Sequence, residues 1–418
     1  MNVSPIFALA GLITIGLLVP RLTSIPWPRV PSLDLLVAAG GPLVALGFVL
    51  GPGIDFLDRP TLAALAPVTA LAIGWIGAGF GARFEWRYLR RIPRSAWLLA
   101  ALSSAAALTT VAFAAWVATR FVPGLAAAWT PRVPAILTLG ALAAAAGPGA
   151  VTLVLHITGV PPRAARAIVL AATLETACAV VALSVPLALQ RRGGAAIAWL
   201  AWIALAIGSG ALGGMLFVWL TRTRAELSRA DLTFVVVITL LFAAGIGSAT
   251  GVSPFVTCFL AAALIVNVSP RRHAVRGVLA KAERPIYALL LLVAGTLFAL
   301  PTLWILLAAL VLWGMRAVAK WAAVRFARGP FDGARGSRNM GLATIAQGGA
   351  VVALGVSYTL LYGGGALLAT VVLLVAASQL SAPGLLALAL RAESPEPALT
   401  QATAPPELSA NVPVEWPR

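Results

Sequence analysis

Glu175 stands near the middle of Leu170-Ala-Ala-Thr-Leu-Glu-Thr-Ala-Cys-Ala-Val-Val-Ala-Leu183, an apolar run too long for an ordinary core helix. Three other ionisable residues lie inside comparable runs: Arg316, Lys320 and His156. A charge at the centre of a bilayer costs about 2.5 to 3.5 kcal/mol on insertion scales, so it faces a bundle interior and finds a partner. Burial and a neighbouring cation act oppositely on a carboxylate's hold on its proton, and where they balance the group can trade a proton for a cation. Glu175 is the candidate carrier and Arg316 its competing counter-charge. A buried Glu175–Arg316 ion pair that only fixes helix packing is the alternative. Lys320, one turn beyond Arg316, is expected to snorkel toward the cytoplasmic interface. His156, just before Ile157-Thr-Gly-Val-Pro-Pro, reads as a helix-end residue; it and Lys320 are secondary candidates. No paired carboxylates or Ser-His arrangement occurs at matching depth, so the chain is not read as an enzyme, and no cofactor is implied.

The elements that must position these residues follow from composition. The 418 residues are 61% hydrophobic and 10% charged, the profile of an integral membrane protein. Apolar stretches of about 17 to 25 residues recur, each able to cross a hydrocarbon core of roughly 30 Å as a helix. Read against Gly, Pro and Arg punctuation, they give about thirteen spans. These lie near 4–20, 33–52, 60–82, 95–119, 133–158, 162–190, 195–220, 232–249, 252–268, 285–300, 301–326, 338–360 and 365–390. The first has no preceding basic residue and reads as a retained helix. After Arg391 the composition turns to Pro, Ala and Glu, so 391–418 is expected to be a disordered tail.

A net charge of +17 alone would fit a nucleic-acid binder, but the arginines cluster between spans. Arg83, Arg87, Arg90, Arg91 and Arg94 follow the third span, and Arg271, Arg272, Arg276, Lys281 and Arg284 follow the ninth, whereas alternate loops are poor in them. Positive-inside bias then places the N-terminus outside and the tail in the cytoplasm of a multi-pass inner-membrane protein. Cys178 and Cys258, both in apolar runs, support neither a disulfide framework nor a cysteine metal site.

Two spans are interrupted at their centres. The fifth reads Leu142-Ala-Ala-Ala-Ala-Gly-Pro-Gly-Ala-Val-Thr152, with Gly147, Pro148 and Gly149 as the break; the twelfth reads Ala343-Thr-Ile-Ala-Gln-Gly-Gly-Ala-Val351, with Gln347, Gly348 and Gly349. Irregular backbone at membrane depth survives only inside protein or beside a watery cavity. A simple packed kink accounts equally well for one such break; a pair of them seven spans apart is more telling. An offset of seven is odd, so the two run in opposite directions, as inverted repeats of secondary transporters require. Glu175 lies about 13 residues, roughly 20 Å, into its helix, a depth similar to Gly147 and Arg316.

The segment order resembles the monovalent cation/proton antiporter superfamily with its sodium/hydrogen exchanger fold, particularly the cation:proton antiporter-2 branch. The resemblance rests on Ala45-Leu-Gly-Phe-Val-Leu-Gly-Pro-Gly53, Ile73-Gly-Trp-Ile-Gly-Ala-Gly-Phe-Gly-Ala-Arg-Phe-Glu85 and Ala249-Thr-Gly-Val-Ser-Pro-Phe-Val-Thr-Cys-Phe-Leu-Ala-Ala262. Pro285-Ile-Tyr-Ala-Leu-Leu-Leu-Leu-Val-Ala-Gly-Thr-Leu297 and Arg338-Asn-Met-Gly-Leu-Ala-Thr-Ile-Ala-Gln-Gly-Gly349 complete it. It implies that the broken helices cross beside Glu175, at the ion-binding acidic position, with Arg316 at the basic one. The chain departs from the family at the first break, where Gly147-Pro148-Gly149 replaces residues with side-chain oxygens; backbone carbonyls, Thr152 and Thr176 are the substitutes.

The resulting expectation is an all-α polytopic membrane protein with inverted repeats and two discontinuous crossing helices. Core helices fall at about 95–190 and 301–390, scaffold helices at about 4–82 and 232–300, and a linking helix at about 195–220. The resemblance implies a homodimer that exchanges H⁺ for Na⁺ or K⁺ across the bilayer. Rival readings are a proton-coupled transporter of another solute and a non-transporting membrane module.

Overall fold

The computed structural model describes Gly11, Thr14, Leu57 and residues 40–53, 59–160, 162–190, 195–222, 228–327 and 339–391. The expected span at 4–20, the start of that at 33–52 and the tail beyond Arg391 lie outside these residues. The chain is all-α. Helix α1 (Gly41–Phe48) continues into a π turn (Val49–Gly53), followed by α2 (Arg59–Ala64), α3 (Ala66–Gly81) and the single turn α4 (Trp86–Leu89). Then come α5 (Arg94–Phe121), α6 (Pro123–Ala128), α7 (Arg132–Ala144), α8 (Pro148–Thr158), α9 (Pro162–Leu189) and α10 (Ala195–Arg222). The second half holds α11 (Arg229–Thr250), α12 (Pro254–Val268), α13 (Arg272–Thr296), α14 (Trp304–Ala327), a 3-10 turn (Met340–Thr344), α15 (Gly349–Tyr362) and α16 (Gly365–Arg391).

Among the described residues, seven segments of 22 to 28 residues are long and apolar enough to cross a membrane, counting α7 and α8 together, and four shorter apolar helices accompany them. Helix is the expected state, because hydrocarbon offers no partner to an open backbone N–H or C=O. Local signals set the ends where water is near. Ser228 caps α11 by accepting from the Asp231 amide, while the Asp231 carboxylate accepts from the Ser228 amide.

Among the described residues, one span departs from its expected bounds by more than a few positions. The tenth, expected at 285–300, begins at Arg272 and runs through Pro285 to Thr296. Its first half carries Arg272, Arg276, Lys281 and Arg284 and so lacks a membrane-like composition, yet Val275 and Leu279 pack inward, and the Leu279 carbonyl accepts from Trp75 Nε1 at 3.1 Å. That amphipathic face propagates the helix beyond the apolar run.

Helices α3, α10, α11, α12 and α13 share a core containing Trp75, Phe217, Leu240, Cys258, Ile265 and Leu279. A larger core joins α5, α7, α9, α14, α15 and α16 through Val111, Leu139, Leu183, Leu312, Val351 and Leu368, and reaches Phe255 and Leu290 of the first group. Both cysteines are free, Cys258 within the first core and Cys178 half-buried on α9.

Close approach of α3 and α12 depends on Gly77: a Cβ there would lie 2.2 Å from the Phe255 carbonyl oxygen, which is backbone and cannot turn aside. Gly79, two residues on, has open space at the same position. Gly77→Ala is expected to cost about 1–3 kcal/mol by overpacking, whereas Gly79→Ala should be neutral or slightly stabilising. Thermal unfolding of the two variants in detergent checks this; equal midpoints would show that the contact does not limit stability.

Candidate ion site at the helix crossing

The fifth span loses its helix at Ala145–Gly147 and resumes at Pro148, whose missing N–H and fixed φ suit a first turn. The twelfth loses it at Ile345–Gly348 and resumes at Gly349. Pro148, Gly149 and Gly349 therefore sit in first turns, while Gly147, Gln347 and Gly348 form the irregular backbone. The two breaks touch. The Gly147 amide donates to the Ala346 carbonyl at 2.8 Å, and a Cβ on Gly147 would stand 2.4 Å from the Gly348 nitrogen, so no larger residue fits.

A helix that stops at membrane depth exposes carbonyls that need donors. Arg316, fully buried on α14, supplies them: Nε donates to Ala143 O at 2.6 Å, Nη1 to Ile345 O at 2.7 Å and Nη2 to Ala145 O at 2.9 Å. One guanidinium thus serves both breaks, and its charge meets the negative ends of the preceding helical segments. Gln347 extends the lattice, its Nε2 donating to Leu142 O at 2.9 Å and Ala145 O at 3.2 Å, and Gln379 of α16 donates to Gln347 O.

Glu175 on α9 is 2% exposed and lies beside this crossing. Lys320 Nζ is 2.5 Å from its Oε2. Its Oε1 accepts from Ser103 of α5 at 2.6 Å and from Thr344 of the 3-10 turn at 3.2 Å. Four elements thereby converge on one carboxylate.

This arrangement corrects two expectations. Arg316 does not pair with Glu175; its donors are engaged by backbone carbonyls at the breaks. Lys320 does not snorkel to an interface; it is fully buried and makes the ion pair. The two cations lie one turn apart on the same face of α14, and the unmet carbonyls take the guanidinium, which has more donors in a fixed fork.

The remaining candidates separate. Thr176 is buried, donates to Ala172 O at 2.8 Å and lies against Ala146 O at the first break. Thr152 is exposed and turns back to Pro148 O at 2.7 Å, away from the carboxylate's set of partners. His156 is exposed in the last turn of α8. Ser103 and Thr344, which sequence reasoning missed, complete the carboxylate's shell. Among the described residues, no three His, Cys, Asp or Glu side chains gather as a metal site.

A cleft of about 780 Å³ opens between the two helix groups, lined by Leu62, Thr69, Ile73, Ser248, Phe298 and Leu360 among others. At its edge the hydroxyls of Ser253, at the start of α12, and Ser357, on α15, hydrogen-bond to each other at 2.8 Å.

Two broken helices crossing at membrane depth, with a buried carboxylate at the crossing, define an inverted-repeat membrane protein built around an intramembrane ionisable site. The transmembrane model of the sodium/hydrogen exchanger family matches residues 79–392, and the chain belongs to that family, among the monovalent cation:proton antiporters. The fold is similar to that of the sodium proton antiporter MjNhaP1 from Methanocaldococcus jannaschii at pH 8, with a TM-score of 0.65 at 16% identity, covering 93% of this chain and 98% of that one. An electron-microscopy structure of the same antiporter gives a TM-score of 0.60 at 16% identity, covering 94% and 99%. No curated protein matches the sequence.

Arg316→Met retains much of the apolar stem but leaves the buried Ala143 and Ile345 carbonyls without donors, at about 1–3 kcal/mol each, and leaves Ala145 O with the Gln347 amide alone. The variant is expected to unfold at markedly lower temperature in detergent, with Arg316→Lys intermediate because an ammonium cannot span both breaks as a fork. A wild-type melting temperature for Arg316→Met would show that the guanidinium does not hold the crossing together.

Proposed function

We propose that the chain exchanges protons for a monovalent cation, Na⁺ or K⁺, across the inner membrane by alternating access, with Glu175 carrying each in turn. The observation that carries this reading is the convergence of α5, α9, α14 and the second break on a single carboxylate buried where two broken helices cross. Lys320, rather than Arg316, is then the competing counter-charge. Its ammonium occupies Oε2, and either a proton or a metal cation neutralises the same carboxylate and releases it. Ser103, Thr344 and Thr176 bring hydroxyl oxygens near the site, replacing those absent from Gly147-Pro148-Gly149. Hydroxyl groups suit this task because they donate to a carboxylate and can turn a lone pair to a cation.

Everted vesicles test the reading directly. Glu175→Gln preserves shape and removes the charge, so it should insert and fold yet lose exchange by at least two orders of magnitude, an estimate that treats the carboxylate as indispensable. Wild-type exchange by the folded variant would sink the proposal. A second reading draws on the same contacts: both carboxylate oxygens are occupied, which also suits a locked structural pair. Absence of exchange by the wild-type protein across a panel of cations would favour it.

Leu174 cannot titrate, and Glu175 is the only carboxylate at the crossing among the described residues. With Lys320 remaining charged through the cycle, one H⁺ exchanges for one cation and no net charge moves. In liposomes, rates should be equal with the membrane potential clamped at zero or set to either sign. A rate that follows the potential would instead show that Lys320 surrenders its proton when the cation arrives.

A further inference from the structure

The geometry points to the turn joining α3 to α5 as a binding site for the headgroup of an anionic phospholipid in the leaflet it faces. Arg87, Arg90, Arg91 and Arg94 lie within this short segment, and all four are exposed. None makes an ion pair among the described residues, where the salt bridges are Arg272 and Arg276 to Glu85 and Lys320 to Glu175. Glu85, the carboxylate at the start of the segment, is held by Arg272 at 3.2 Å and Arg276 at 2.8 Å, and so is occupied within the protein. The four guanidinium groups are left facing outward.

Aromatic rings are interleaved with them. Trp86 is 60% exposed and Tyr88 42% exposed, and the Arg90 guanidinium stacks over the Trp86 ring at 5.7 Å. Trp and Tyr favour the headgroup level of a bilayer, where an apolar ring and a polar edge are both accommodated. Guanidinium forks match the paired oxygens of a phosphodiester. Setting topology requires only charge; it does not require exposed rings or a cation stacked on one of them.

The segment is also built before any lipid arrives. The Trp86 amide donates to Asn267 Oδ1 at 2.6 Å, and Arg276 Nε donates to the Ala82 carbonyl at 3.0 Å, fixing one end to α12 and α13. At the other end Ile92 is buried with Leu89, Trp97, Leu170 and Leu174. A prefolded patch loses little conformational freedom on binding. Its inner anchor packs against Leu174, the chain neighbour of Glu175, so an occupied headgroup site would brace the link between the two helix groups beside the carboxylate.

The test uses the purified full-length chain in detergent, with phosphatidylglycerol and phosphatidylcholine as probes and native mass spectrometry as the readout. Phosphatidylglycerol should be retained preferentially. With each interfacial Arg contributing about 1 kcal/mol, the Arg90→Gln/Arg91→Gln variant should bind it more weakly by roughly thirtyfold. The Arg90→Lys/Arg91→Lys variant keeps the charge and should fall between. Equal retention of the two lipids by the wild-type protein would overturn the assignment without recourse to any variant. Undiminished retention by a folded Gln variant would overturn it too, as would displacement by inorganic phosphate as effective as displacement by free phosphatidylglycerol. No transport is measured, so the result is independent of the exchange reading.

Discussion

Everything at the centre of this molecule depends on how the carbonyls at two interrupted helices are satisfied away from water. Breaking a helix at membrane depth exposes groups that normally find partners one turn along, and hydrocarbon supplies none. Arg316 resolves this for both interruptions at once, with three donors reaching Ala143, Ala145 and Ile345. Because arginine retains its proton under essentially all conditions in proteins, the solution is a fixed positive charge. That charge is absorbed by backbone dipoles, which leaves the neighbouring ammonium of Lys320 as the partner of Glu175. The division follows from chemistry: a rigid fork with several donors secures the carbonyls of both breaks, and a compact group on a flexible stem pairs with the carboxylate.

The same logic accounts for the small side chains around the crossing. The direct contact of Gly147 with Gln347 and Gly348 brings the backbones together, and the run of alanines before it leaves carbonyls accessible to Arg316. Polar side chains at the first break would compete for that space. Their absence shifts the available oxygens to Ser103, Thr176 and Thr344 on three surrounding elements, two of which already contact the carboxylate. On the exchange reading, selectivity would then be set by how α5, α9 and the 3-10 turn hold their hydroxyls, not by the broken helix itself.

The membrane class, the helical spans and the two breaks were legible in the sequence because each carries a large physical signal: long apolar runs, Pro148 between glycines, and an acid at a depth where acids are costly. The pairing of that acid was not. Arg316 and Lys320 are separated by one turn, a distance comparable to the uncertainty of a helix end, and only the position of the unmet carbonyls distinguishes them. Ser103 was hidden for another reason. Hydroxyls in apolar helices commonly bond back to their own chain, as Thr109 and Thr119 do here, so a serine in such a run says little about a remote partner. Thr152 shows the converse: its hydroxyl is spent on Pro148 although its position beside the break suggested a ligand. The early start of α13 was obscured because its amphipathic first half has the wrong composition for a span while remaining continuous with one.

The Ser253–Ser357 hydrogen bond has a mechanical consequence. It is a neutral clasp between helices from the two groups, at the edge of the cleft that separates them. Breaking a bond of this kind costs about 1 kcal/mol net, and either hydroxyl can donate or accept, so water can take over both ends as they part. An ionic clasp here would hold the helices in one register and resist release, whereas an apolar contact would expose dry surface on opening. Two serines impose little of either penalty. Displacement of α15 past α12 would therefore meet low friction at this point, with the resistance falling on the close glycine contacts and the buried charges deeper in the fold.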